Sequence, residues 1–366
     1  MEKKRLGDIC EIVTGATPKT NIKEFWDGDI NWITPAELTE DTYIINESLR
    51  KITTEGVEKT GLKSFPKGTV ILSSRAPIGK VAIAGYEMYC NQGFKNLICS
   101  KQINNRFLYW YLKGHKEYLN SLGRGATFKE ISKAIVENIE ICLPTLEKQE
   151  KYADILEQCN GIIQIKKGQL RKLETLVKSR FVEMFGDMAL NQKHWDKVKI
   201  GSIVKSIESG WSGNGKQRKK RDGEIAVLKV SSVTKGYFIP EEYKVLDDQN
   251  NIKKYIFPQK GDLIFSRANT REMVGATAII RQDYPELILP DKLWKIQFLK
   301  YVDVVYIKYA LSTSAIRKEF SNVSTGTSGS MYNVSMEKFK NIDILLPPIE
   351  LQNQFADFVA SIDKSK

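Results

Sequence analysis

One phrase occurs twice in this 366-residue chain, and it limits the fold to a tandem arrangement. The pattern Asn-Ile-x-Ile-x-Leu-Pro-x-x-Glu-x-Gln spans residues 138–149 and again 341–352. In a single register Ser132, Asn138, Ile139, Ile141, Pro144, Glu147, Gln149 and Ala153 recur as Ser335, Asn341, Ile342, Ile344, Pro347, Glu350, Gln352 and Ala356. Earlier parts match with slightly drifting offsets, as loop insertions require. Gly28-Asp29-Ile30 answers to Gly223-Glu224-Ile225, and Phe65-Pro66 to Phe257-Pro258. GTVILSSR (68–75) answers to GDLIFSR (261–267), each followed by a loop and a glycine, Gly79 or Gly275. An internal period of this length means a duplicated unit, here domain, helix, domain, helix.

The first copy of the phrase opens a stretch, Pro144 to Phe185, that reads as one helix of about 40 residues, or roughly 60 Å. Leu156, Ile163, Leu170, Val177 and Met184 repeat at heptad spacing, and Ile155, Ile162, Leu176 and Phe181 widen the stripe. Such a stripe requires a partner helix. The opposite side is basic, with Lys166, Lys167, Arg171, Lys172, Lys178 and Arg180 against Glu174. The second copy reaches only Lys366, opposite Ile163 in the repeat. The expectation is that this short distal helix covers Ile155 to Ile163 and leaves Leu170, Leu173, Val177 and Met184 as a subunit contact.

Within each half the pattern is mostly strand. Val70–Leu72, Val81–Ala84, Leu97–Cys99 and Ile139–Leu143 are short apolar runs bounded by Gly, Pro and Asn, as are Ile225–Val230, Leu263–Phe265, Ala276–Ile280 and Ile342–Leu346. Asn105–Leu122 and Val302–Phe320 have helical spacing. The expected class is α+β, two tandem domains with twisted, largely antiparallel sheets, separated by a long helix and followed by a shortened one.

A net charge of +12 biases the partner list toward polyanions, nucleic acid first and anionic membrane second. The five scattered cysteines form no CxxC pair, so neither a disulfide framework nor a zinc site is indicated. Met1 to Arg5 run into strand-like sequence without an apolar h-region, so no signal peptide is expected. No run approaches the 18 or so apolar residues needed to cross a bilayer. These features lead to the expectation of a cytoplasmic protein without a membrane partner.

The order of parts resembles the specificity (S) subunits of type I restriction-modification systems. The resemblance covers essentially the whole chain and rests on TGATPKTNIKEFWDGDINWITPAEL (14–38), TFKEIS (127–132), GDLIFSRANT (261–270), LPDKLWKI (289–296) and the doubled phrase. It implies that residues 1–144 and 193–347 are target recognition domains, with 145–185 and 348–366 the conserved spacer helices. Each domain would read half of a bipartite double-stranded DNA target, while the helices fix the spacer and dock methyltransferase (modification) subunits. Restriction (endonuclease/translocase) subunits and a second copy of the chain are further partners to consider. The chain itself would be non-catalytic and hold no cofactor, with S-adenosylmethionine, ATP and Mg bound by the partner subunits.

DNA contact calls for cationic and amide side chains on loops at strand ends. Arg75 to Lys80 and Arg267, Asn269 and Arg271 fit, the competing reading being ion pairs at strand termini. Asn91, Gln92 and Lys95, with Asp291 and Lys292 in the matching place, suit bidentate contact with bases, yet asparagine and glutamine also cap turns. Arg124 and Lys129 occupy one glycine-punctuated loop, Ser328 and Tyr332 its counterpart, and either loop could be plain surface. The densest basic run, KQRKKR (Lys216, Arg218, Lys219, Lys220), suits a phosphate backbone or a solvated loop. Trp211, with Asn214 nearby, could stack on a base or sit in a core, whereas Trp32 and Trp294 read as core. GWSGNGKQ (210–217) mimics a phosphate-binding loop but has Gln217 where Ser or Thr is required. His115 and His194 are the only histidines, so no His-based triad or metal cluster is indicated. Two rivals remain open, a DNA-modifying enzyme with an unrecognised site and a protein-interaction scaffold that does not bind DNA.

Overall fold

The computed structural model describes residues 2–125, 129–326 and 331–365. It divides into two compact units, Met1–Lys166 and Lys167–Lys366. In the first, a five-stranded sheet runs in the order Cys10–Thr14, Phe94–Cys99, Val70–Ser73, Val81–Ala84, Ile44–Ile45. All its pairings are antiparallel except the last, which is parallel. The second unit repeats the first four strands as Val204–Ser209, Leu293–Phe298, Leu263–Ser266 and Thr277–Ile279, all antiparallel.

The two-residue period of a strand divides the core of each unit. Val70 and Leu72 enter one apolar cluster, with Leu97, Leu108 and Ile141, while Ile71 enters another with Ile33, Phe65 and Phe94. Leu263 and Phe265 split from Ile264 in the same way. Because both faces are buried, these strands read as unbroken apolar runs instead of alternating ones. A smaller sheet joins each unit: Arg50–Ile52, Trp26–Ile33, Tyr89–Cys90 in the first, and Gly215–Lys216, Tyr243–Leu246, Ala226–Leu228, Leu287–Ile288 in the second.

Each opening strand returns to the strand that introduces a long helix. Glu2–Arg5 pairs with Glu140–Leu143, and Asp196–Lys199 with Asp343–Leu346. The helical stretches at 105–122 and 302–320 are each broken in two, as Asn105–Gly114 and Lys116–Leu122, and as Val304–Leu311 and Ser314–Val323. His115 leaves the helical region directly after Gly114, a poor helix former.

The recurring glutamine of the doubled phrase has a structural task. The central helix spans Leu146–Phe185 and the distal helix Ile349–Lys364. Gln149 is fully buried; its Oε1 accepts from the Asn104 backbone N–H at 2.8 Å, and its Nε2 donates to the Pro144 carbonyl at 2.9 Å. Gln352 repeats this on Asp303 N–H at 2.9 Å and Pro347 O at 2.7 Å. Asn104 and Asp303 are themselves helix N-caps, so each glutamine fastens a long helix to the capped end of a short one.

The expected division of the apolar stripe is overturned. Val177 is 1% exposed and lies with Phe181 and Phe185 in the core of the second unit, alongside Phe355 and Val359 of the distal helix, with Met184 packed against them. The Phe355 ring is 5.3 Å from Phe181 and 5.6 Å from Phe185, while Arg180 sits over Phe358. The distal helix therefore runs antiparallel to the end of the central helix. Val177 is internal, Leu173 and Met184 are half-buried and only Leu170 of the four is exposed. The first part of the stripe is exposed, with Ile162 60% and Ile163 52% exposed together with Ile155 and Leu156, and further along Leu170 and Leu176 are exposed as well. The face turned to the first domain there is polar apart from one alanine, with Gln149, Ala153, Glu157, Asn160 and Gln164 recurring at helical spacing.

Candidate nucleic-acid interface

In each unit three loops converge at one end of the main sheet, held by the same backbone bonds. In the first, Ser74 N–H donates to Gly93 O at 2.8 Å and Ile131 N–H donates to Ser74 O at 2.9 Å. In the second, Arg267 N–H donates to Lys292 O at 3.1 Å and Val334 N–H donates to Arg267 O at 2.8 Å. Flanking bonds fix the register, since Gly79 N–H reaches Ser73 O and Gly275 N–H reaches Ser266 O. Arg267 thus occupies the place of Ser74, and Arg75 that of Ala268. The two arginines are neighbours in the loop pattern, not equivalents, because the run SSR in one copy is SR in the other.

A glycine closes the back of each loop cluster. A Cβ on Gly15 would lie 2.0 Å from Cys90 O, and one on Gly210 1.8 Å from Leu289 O, so both positions require the bare backbone.

The candidate side chains divide by exposure and partner. Arg75 is half-exposed and its Nε donates to Glu130 at 2.9 Å. Burial raises the Glu130 pKa, but hydrogen bonds from Arg75 and Lys95 outweigh it and hold the carboxyl below the usual range. Lys95 is a correction: it is 5% exposed, with Nζ 3.3 Å from both Ser74 Oγ and Glu130, because it points inward from a strand instead of out of a loop. Asn91 is spent on its own turn, accepting from Gly93 N–H at 2.9 Å, while Lys80 donates to Pro35 O at 3.1 Å. Gln92 is exposed and bonded to Thr17 at 2.5 Å, which brings Thr17, unmarked in the sequence, to the same rim. Arg124 and Lys129 are exposed on the third loop, tied by reciprocal bonds between Arg124 and Glu130.

In the second unit Arg267 donates from Nε to Asp291 O at 2.8 Å, and its guanidinium lies 3.7 Å from the Asp291 carboxylate. Asn269 accepts from Thr270 N–H, and Ala268–Asn269 forms a small ribbon with Tyr332–Asn333. Arg271 reaches Ser321 Oγ at 3.1 Å and lies 5.9 Å from the Tyr332 ring. Lys292 is partly exposed. Ser212 hydrogen-bonds Asp291, a link that only the fold reveals, since 79 residues separate them. Ser328 lies outside the described residues.

The basic run is not part of this cluster. Lys216 belongs to the smaller sheet, Arg218 is paired twice with Glu224 at 2.8 and 2.7 Å, and Lys220 lies 3.0 Å from Glu286. Arg218 and a backbone bond from Arg221 pull the Glu224 carboxyl down to about 2. Lys219 and Asn214 are exposed. Trp211 packs beside Val227, Leu246 and Ile288, the core side of the two readings given above. Trp32 and Trp294 are 2% and 3% exposed, both core as expected.

Among the described residues no group of three or more His, Cys, Asp or Glu side chains could hold a metal, and no helix is long and apolar enough to cross a membrane.

Residues 1–175 and 192–366 each match the family described as type I restriction modification DNA specificity domain. The chain is 35% identical over 287 residues to the type I restriction enzyme MjaIX specificity subunit of Methanocaldococcus jannaschii, covering 71% of this chain and 66% of that one. It is 26% identical over 319 residues to the EcoKI specificity subunit of Escherichia coli, covering 80% and 67%. The fold is similar to the crystal structure of the S subunit of a type I restriction-modification system from M. genitalium, with a TM-score of 0.53 at 13% identity over 100% of this chain and 89% of that one. A duplicated sheet with duplicated loops, matched twice by one family model, places this chain in the type I restriction modification DNA specificity domain family.

Proposed function

We propose that the chain is the non-catalytic DNA-recognition subunit of a type I restriction-modification complex, each recognition domain reading one half of a bipartite duplex target. The observation that carries this reading is the duplicated loop cluster at the sheet ends, where Gln92, Arg124 and Lys129 in one unit and Asn269, Arg271 and Lys292 in the other offer the amides and cations that base edges and phosphates accept. The ion pairs of Arg75 and Arg267 are compatible with a role at the interface, since a guanidinium held by a carboxylate keeps donors for a second acceptor. Lys216 and Lys219 supply sequence-independent phosphate attraction.

The two long helices would set the spacer and carry the modification subunits, which bind S-adenosylmethionine; ATP and Mg would belong to partner subunits, including a restriction subunit. The exposed Ile155 to Ile163 stretch, with Leu170 and Leu176 beyond it, rather than the buried Val177, is the part of the stripe free for another subunit or a second copy of this chain. The complex would work in the cytoplasm. Exchange of residues 1–144 for another recognition domain tests the division of labour by mapping methylated motifs. One half of the motif should change and the other stay; change in both, or in neither, refutes two independent readers.

A further inference from the structure

The common frame of the two units breaks at one place. The 3-10 turns Pro35–Glu37 and Val230–Ser232 put Tyr43 in register with Phe238, and the doubled phrase puts Glu157 in register with Ala360. The N-caps Asn104 and Asp303 likewise equate Arg106 with Val305. In the first unit these positions close the space between loop and helix: the Tyr43 hydroxyl donates to Glu157, and Arg106 holds Glu157 and Asp154, each at 2.5 Å. In the second unit all three polar partners are replaced, and the same space is an open groove of about 1020 Å³.

The chemistry of the groove is mixed in a particular way. Its walls are apolar and aromatic, with Phe238, Tyr284, Tyr309 and Val359, and Tyr237 stands exposed at the edge. Around it lie Lys178, Lys235 and Lys308, against Glu174 and an Asp363 already paired with Arg281. Lys178 and Lys235 are exposed, and among the described residues Lys235 feels only the more distant Glu242 carboxylate, which Lys229 already holds at 2.7 Å. The groove also lies at the far end of the sheet from the loop cluster. Ile279, which lines it, pairs with Leu263 at the start of the strand whose other end, Ser266, leads into Arg267.

We propose that this groove docks an acidic amphipathic segment of a partner protein. Apolar side chains of the segment enter between Phe238, Tyr309 and Val359, and its carboxylates meet Lys178 and Lys235. An aromatic concavity with cations on its rim gains from both terms, apolar burial at the centre and charge complementarity at the edge. Duplex DNA fits less well, because an apolar hollow offers its phosphates nothing and Glu174 repels them.

The test uses the purified full chain and 15-residue peptides selected on it by phage display. Enriched peptides should combine acidic residues with apolar residues at i, i+3 or i+4. They should bind Lys178→Glu/Lys235→Glu at least tenfold more weakly, and Ala360→Trp, which fills the groove without changing charge, should abolish binding. No enrichment, enrichment without acidic residues, or equal binding to these variants overturns the proposal. A fluorescent 30-base-pair duplex gives the second arm. The groove variants should hold its affinity within twofold while Lys129→Ala/Arg271→Ala lowers it several-fold. If the lysine reversal weakens the duplex as much as the loop variant does, the groove is a phosphate surface and the proposal falls. If only the loop variant fails to act, the DNA reading is wrong and the docking site stands.

Discussion

The first unit locks its long helix with charge, whereas the second holds its helices with rings. On the first side Glu157 is gripped by Arg106 and Tyr43, and Gln164 reaches Asp41 at 2.8 Å. On the second side Phe181, Phe185, Tyr306, Tyr309 and Phe355 form a continuous set of ring contacts. The same backbone frame, latched by the same glutamine, is thus completed by two different chemistries. A duplicated fold preserves what the backbone needs and lets side-chain partners diverge.

The comparison can be broken most severely at the shared backbone. Gly210→Ala and Gly15→Ala each put a methyl group into a carbonyl oxygen, and about 3 kcal/mol of stability should be lost. Hydrogen exchange should show the loss confined to the unit that carries the change; exchange rising equally in both units would show that the units do not fold independently.

The glutamine latches come next. Gln149→Leu strands the Asn104 N–H and the Pro144 and Gln102 carbonyls, and Gln352→Leu the Asp303 N–H and the Pro347 carbonyl, at a cost of about 2 kcal/mol each. Chemical denaturation should report a somewhat larger loss for Gln149→Leu, because Gln149 Nε2 also donates to the Gln102 carbonyl at 3.1 Å. A large inequality would mean that one helix is secured chiefly by other contacts.

A smaller and asymmetric effect is expected from acid. The hydrogen bond from Arg106, opposed by burial, holds the Glu157 carboxyl below its ordinary value, while burial and Glu157 push the Tyr43 hydroxyl up to about 12. A depressed carboxyl contributes stability above its unfolded pKa of about 4.5 that is lost as pH falls through the lower folded value. Amide exchange at residues 150–160 should therefore rise below about pH 4 in the wild type. In Glu157→Gln, which is expected to lose about 1 kcal/mol at neutral pH, that rise should be absent. Ala360 and Val305 cannot titrate, so the second unit offers no counterpart at those positions.

The smallest change is the most specific. Phe238→Tyr alone should alter stability by less than about 0.5 kcal/mol, since Ala360, in the place of Glu157, gives its hydroxyl no acceptor. Combined with Ala360→Glu and Val305→Arg it should rebuild the first unit's lock and close the groove, read as lost binding of the selected peptides.

Much of the frame could be read directly from residues close together in sequence. The doubled phrase exposed the duplication, apolar runs such as Val70–Leu72 located central strands, and heptad spacing located a helix of about 40 residues. The strand Glu2–Arg5 was not legible, because its EKKR sequence has no apolar pattern and its partner lies at Glu140–Leu143. At the candidate interface the loop after Arg75 was legible as a loop, but Lys95, Asn269, Lys216 and Tyr332 lie in short strands that no local pattern marked. Lys95 looked like a DNA contact until Glu130, 35 residues on, and Ser74 were seen to enclose it.

The sequence by itself determined the tandem order, the α+β class and the existence of two unequal helices, because local periodicity and direct repetition encode them. Tertiary structure alone decided which face of each helix is covered. The central helix packs a polar ladder against the first unit and leaves Ile162 and Ile163 exposed, and buries Val177 and Phe181 in the second. Heptad spacing specifies that a stripe exists, but its partner is supplied by residues far along the chain. Only the fold brings Phe355 to Phe181, or Arg106 to Glu157, and so decides where the stripe is closed and where it stays open.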